Sequence, residues 1–152
     1  MIYKGFAKLI ELSAENPLNI AAAMGHVDFV KEIIRLKPVF SREVNQEGFS
    51  PMHIAADNGQ VEIVKELMKV DIKLCRLEGR QKMTPFHHAA IRGRAEVVEI
   101  FLGSGSVSTG SLEVNAINHT GITALDVILL FPSEAGDREI VEILRSAGAM
   151  RA

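Results

Sequence analysis

The stretch Thr84-Pro85-Phe86-His87-His88-Ala89-Ala90 sets two imidazoles side by side, three residues behind a hydroxyl. A hydroxyl activated by histidine is a nucleophile in many enzymes, and paired histidines hold zinc. One ion cannot take both rings here, because adjacent residues on a helix point about 100° apart and do not face each other. Catalysis needs a nucleophile, a base and an orienting group converging on one pocket. The Ser, His and Asp residues of this chain are instead spread through the sequence at a fixed interval. A second candidate is Gly103–Ser111, GSGSVSTGS, which has the glycines of a phosphate-cradling loop. It lacks the Lys-Ser/Thr pair that enters a helix in such loops, and its composition is that of a flexible connector. These residues point to a chain that is not an enzyme and needs no cofactor or metal.

The fixed interval is a tandem repeat. NPLNIAAAMGHVDFVKEII begins at Asn16, SPMHIAADNGQVEIVKELM at Ser50 and TPFHHAAIRGRAEVVEIFL at Thr84. Pro17, Pro51 and Pro85 stand 34 residues apart, as do Gly25, Gly59 and Gly93. A fourth, altered copy starts at Thr123 and ends in GDREIVEIL, and the loop before it is five residues longer than its counterpart. A repeat of this length with an atypical end unit is the mark of a stacked solenoid.

Each unit must present two short antiparallel helices. Ser or Thr before Pro starts the first helix, with the hydroxyl as cap and the ring at a position whose missing N–H costs nothing. The helix runs through an alanine pair, Ala21-Ala22, Ala55-Ala56 or Ala89-Ala90, and stops at the glycine. The second helix is amphipathic, with Val61, Val64, Leu67 and Met68 inward and Glu62, Lys65 and Glu66 outward. Neither helix buries its apolar stripe alone, so the units must stack.

The motifs Thr84-Pro85-x-His87-x-Ala89-Ala90 and Ser50-Pro51-x-His53-x-Ala55-Ala56, each followed by a glycine and a V-x-x-V-type helix, resemble the ankyrin repeat. The resemblance covers residues 16 to 148. It implies an all-α ankyrin-repeat solenoid of helix-turn-helix units joined by hairpin-like loops. Its expected divisions are 1–15, a capping helix or part of a preceding unit; 16–49, 50–83 and 84–122, repeats one to three; and 123–152, a divergent last repeat. In that family the motif histidine bonds the first-position hydroxyl and ties down the neighbouring loop. His53 with Ser50 and His87 with Thr84 take that role, whereas Asn16 and Asn19 replace both residues in repeat one. His53 and His87 would then sit one helix spacing apart, about 8–10 Å, too far to share a zinc ion. His88 falls where the sister units have Ile20 and Ile54, a slot expected to be apolar and between helices.

The resemblance also implies where a partner binds: the loop tips and the exposed side of the first helices. Carried over by register, the tips are Gln46, Glu47 and Phe49; Arg80, Gln81 and Met83; and His119, Thr120 and Ile122. The helix positions are Ala23 and Met24; Asp57 and Asn58; and Ile91 and Arg92. Lys82 departs from the family, which has glycine at this tip as at Gly48 and Gly121. Six basic residues lie between Lys73 and Arg94 (Lys73, Arg76, Arg80, Lys82, Arg92 and Arg94) against one acid, Glu78. That imbalance fits an acidic partner segment, with Phe49, Met83 and Ile91 as apolar anchors.

The bulk properties agree with a protein-binding module. Seventeen Lys+Arg against 19 Asp+Glu in 152 residues give a net charge of -2, and one basic repeat does not make the continuous stripe that nucleic acid requires. The lone Cys75 suits a reducing compartment, cytoplasmic or nuclear. The longest apolar run near the end, Val127–Phe131, is far short of the ~20 residues of a bilayer span. The expectation is a monomeric, non-catalytic adaptor or scaffold that inserts in no membrane. The wording of the units also looks like plant ankyrin-repeat proteins linked to defence and stress signalling. Since those proteins commonly end in a hydrophobic anchor, the alternative is the cytosolic repeat domain of a membrane-anchored signalling protein.

Overall fold

The computed structural model describes residues 16–103, 123 and 137–146, and within them every regular element is helical. The first helices are α1 (Pro17–Met24), α3 (Pro51–Asp57) and α5 (Pro85–Ile91). The second helices are α2 (Val27–Leu36), α4 (Val61–Val70) and α6 (Ala95–Gly103), followed by α7 (Asp137–Ser146). First helices stack on first helices, α1 on α3 on α5, and second on second, α2 on α4 on α6 on α7. The fold is an all-α solenoid of stacked repeats. The capping helix expected over 1–15, the Gly/Ser insertion after Gly103, the tip at His119, Thr120 and Ile122, and most of the altered last unit lie outside the described residues.

Local chemistry explains the helix ends. Asn16, Ser50 and Thr84 hold extended backbone and accept a hydrogen bond from the first turn of α1, α3 and α5, with proline next. Gly25, Gly59 and Gly93 lie at φ 75, 69 and 71, so the chain reverses through a left-handed residue before the second helix begins.

The core is a set of columns one repeat apart. Leu18, Met52 and Phe86 form one; Val30, Val64 and Val98 another; Ile33, Leu67 and Phe101 a third, all at most 1% exposed. Fully burying a side chain of this kind stabilises by about 1.5–3 kcal/mol. Ile63 joins this core, whereas Val61 and Met68, which the spacing places inward, are only partly buried against it. The alanine pairs are all but fully buried, and their small volume lets successive first helices approach. Outside, exposed pairs such as Lys69 with Glu66 at 2.9 Å run along the second helices and add little individually.

Between units the chain makes two described fingers, 45–49 and 79–83. Each closes on itself, Asn45 N–H to Phe49 O at 2.9 Å and Gly79 N–H to Met83 O at 2.9 Å. Arg80 N–H then donates to Gly48 O at 3.1 Å, which joins the fingers edge to edge. The second finger keeps the same closing hydrogen bonds without the tip glycine but turns differently: Gln81 and Lys82 both hold left-handed backbone, at φ 60 and 59, where in the first finger Gly48 does and Glu47 does not.

Two substitutions test the fingers. A Cβ on Gly79 would stand 2.3 Å from Gly48 O and 2.9 Å from His53 Nε2, so Gly79→Ala should lose about 2–3 kcal/mol in urea unfolding. Lys82→Gly relieves a left-handed residue and should gain about 1 kcal/mol, read as a higher urea midpoint at unchanged slope.

Candidate functional site

His53 is fully buried at the first turn of α3. Its Nε2 lies 2.8 Å from Met83 O. A carbonyl only accepts, so Nε2 carries the proton and Nδ1 is an acceptor. At Nδ1 it receives Ser50 N–H at 3.2 Å and the Ser50 hydroxyl at 2.7 Å, while Ser50 Oγ accepts His53 N–H at 3.2 Å. Thr84 and His87 repeat the inner half of this pattern at 3.1, 2.8 and 3.2 Å. Ser50 and Thr84 are buried, cap their helices and hold the neighbouring rings in place.

Repeat one keeps half of the device. Asn16 Oδ1 caps Leu18 N–H at 2.9 Å, and Asn16 Nδ2 donates to Phe40 O at 2.9 Å. Asn19 reaches the following finger as His53 does, Nδ2 to Phe49 O, stretched to 3.5 Å. Its buried Oδ1 has no hydrogen-bond partner among the described residues. The outward tie survives and the inward one is lost.

The joint between α3 and α5 is organised around Asp57, at the end of α3. Its Oδ1 is 3.2 Å from His88 Nδ1, and both carboxylate oxygens are 3.3 Å from Arg92 Nε. Its backbone carbonyl accepts from Arg94 Nε at 3.0 Å, a cation at a helix C-terminus where the dipole favours one. Burial pushes the Asp57 carboxyl up, but hydrogen bonds and charge from His88 and Arg92 outweigh it and hold the group below the usual carboxylate range. Three residues of the third repeat thus close on one residue of the second.

This geometry corrects three expectations. The slot of His88 lies between helices but is not apolar: from α5 the ring packs edge-on against Phe49 at 5.6 Å and His53 at 5.4 Å and bonds Asp57 on α3, while Ile20 at the same register is 47% exposed. Asp57 is not a free helix end, and Arg92, though exposed, is not a free cation. The rings of His53 and His88 lie 5.4 Å apart. Among the described residues no three His, Cys, Asp or Glu side chains gather as a metal site would need.

The remaining expected contact residues separate by exposure. Gln46, Glu47, Arg80 and Gln81 are exposed at the finger tips, and Met24 and Asn58 on the first helices. Phe49, Met83 and Ile91 are half-buried, more finger packing than open anchors. Sequence reasoning passed over Ile20, which is exposed, and named Lys82, also exposed, only within the basic run. The register gave no signal for Ile20, since it placed that position in a slot expected to be apolar and between helices.

Burial drives the His53 pKa from its ordinary 6.5 to about 4, against the opposing effect of the Met83 hydrogen bond and aided by His88 and His87 nearby. Between pH 6.5 and about 4 the unfolded imidazole is protonated and the folded one is not. Stability therefore falls as pH falls through that window and this contribution is flat below it. The loss should be about 3 kcal/mol, measured by urea unfolding across pH. In His53→Gln, which removes the titrating ring, that part of the slope should vanish.

A family model described as Ankyrin repeats (3 copies) matches residues 3–78. A second, Ankyrin repeat, matches residues 81–118. No curated protein matches the chain. Among the described residues no helix is long and apolar enough to cross a membrane. With the capped first helices, the histidine ties and the stacked fingers in one register, these matches show that the chain belongs to the ankyrin-repeat family.

Proposed function

We propose that this protein is a non-catalytic adaptor or scaffold that holds a segment of another protein along the face formed by its fingers and first helices. Ankyrin repeats are generally protein–protein interaction modules. The observation that carries the reading for this chain is the contrast between the two sides of the first-helix layer. The inward Ser, Thr and His groups are buried and used up within the stack, while Met24, Asn58, Gln46, Glu47, Arg80 and Gln81 stay exposed at matched heights. Polar chemistry inside serves the scaffold, and the varied residues outside serve recognition.

An acidic partner segment fits Arg80 and Lys82, which enter no ion pair among the described residues. Arg92 contributes less, because Asp57 already neutralises it. Reversing Arg92 would disturb the joint between repeats as well as the surface. We also read the chain as a monomer acting in signalling. The likeness of its unit wording to plant defence and stress proteins supports that role, in the cytoplasm or tethered to a membrane by another part of a longer protein.

Peptides selected from an unbiased display library, followed by hydrogen exchange with and without the best binder, test the location. Slowed exchange is expected at 46–49, 80–83 and 88–92. Protection confined to α2, α4 and α6 would place the partner on the opposite side and overturn the reading.

A further inference from the structure

The three described units present different chemistry at equivalent positions. At the register of Ile20, the sister units have Ile54 and His88; at that of Met24, they have Asn58 and Arg92. The first unit's pair is apolar and open, Ile20 at 47% and Met24 at 64% exposure, with Ala23 exposed between them. The finger before α5 holds Arg80 and Lys82, and Arg92 and Arg94 follow that helix, four exposed cations; Asp57 bonds the last two, and the exposed Glu78 is the one acid between Arg76 and Arg94. Between them α3 is transitional, with Ile54 half-buried, Asn58 neutral, and Gln46 and Glu47 on the finger before it. The face therefore runs from apolar to cationic along the stack.

We infer that the partner is an extended protein segment with bulky apolar side chains at one end, which cover Ile20 and Met24, and a cluster of carboxylates at the other, which meet Arg80 and Lys82. The inference rests on the reading above of the face formed by fingers and first helices. Its register follows from the stack. Two steps between neighbouring first helices cover roughly 16–20 Å, and an extended chain advances about 3.3 Å per residue, so the two ends lie about five or six residues apart. Apolar cover removes two exposed large hydrophobics of α1, Ile20 and Met24, from water, and the carboxylates supply counter-charges that Arg80 and Lys82 lack within the stack. A purely acidic segment would leave the first unit bare; a purely apolar one would bury two cations without partners, which costs more than it returns.

The test uses fluorescein-labelled peptides bearing a leucine-phenylalanine pair and a glutamate trio, made in both chain directions. In the matched probe the spacer is about five Gly/Ser residues; control probes have a single-residue spacer, the acidic trio alone or the apolar pair alone. Anisotropy should show the matched probe, in one direction, binding about tenfold tighter than every control. Met24→Ser should weaken it by about tenfold, and Arg80→Glu with Lys82→Glu by at least as much. These side chains are exposed, so melting temperatures should stay near that of the parent; if the double variant fails to fold, Arg80→Gln with Lys82→Gln carries the same test. Equal affinity for matched and single-spacer probes, or a matched probe indifferent to either variant, overturns the inference. Library-selected peptides separate it from the reading beneath: if they protect the finger and first-helix face but carry neither feature, this partner is wrong and the face stands. If none protects that face, the reading itself falls.

Discussion

One buried ring couples the parts of the central repeat. His53 accepts from Ser50 at the start of its own helix and donates to Met83 O at the base of the next finger. The first bonds fix where α3 begins; the last fixes where the following unit hangs. Because both are made in full burial, losing either leaves an unsatisfied polar group at a cost of about 1–3 kcal/mol. The ring must stay neutral to serve, since a proton on Nδ1 would face the Ser50 N–H. Scaffold use and acid sensitivity are the same property of one residue.

The finger layer depends on that tie. Gly48 and Gly79 meet closely enough that Gly79 has no room for a Cβ, and the Arg80 N–H bond joins finger to finger. The tips are thereby set at a fixed height above the first helices. A surface built this way recognises by position: each unit offers its tip and its helix residues at one step along a ladder. Changing the residues changes the partner without touching the ladder. The polarity of this face, apolar at the first unit and cationic at the third, is written entirely in such replaceable positions.

Asp57 shows the limit of that independence. It sits at a position that a family-based reading assigns to recognition, yet its carboxylate is spent on His88 and Arg92 and its carbonyl on Arg94. The second and third units are thus fastened on the outside by charge as well as on the inside by alanine packing. Recognition residues and stacking residues overlap where opposite charges fall one repeat apart.

By itself the sequence determined the repeat, the paired helices of the three described units, and their caps and reversals, which follow from bonds within a few residues or from a 34-residue register repeated often enough to read. The roles of Ser50 with His53 and Thr84 with His87 were legible only through the resemblance to a family. Tertiary structure alone decided what His88, Asp57, Arg92 and Arg94 do. Their contacts span 31 to 37 residues, and nothing in residue type tells whether a side chain at a helix end turns to solvent or across to its neighbour. Tertiary structure also decided that in the slot shared by Ile20, Ile54 and His88 the first is exposed and the other two half-buried. Helical spacing sorts residues around an axis, but only the packing of one unit against the next decides which side of that axis is covered.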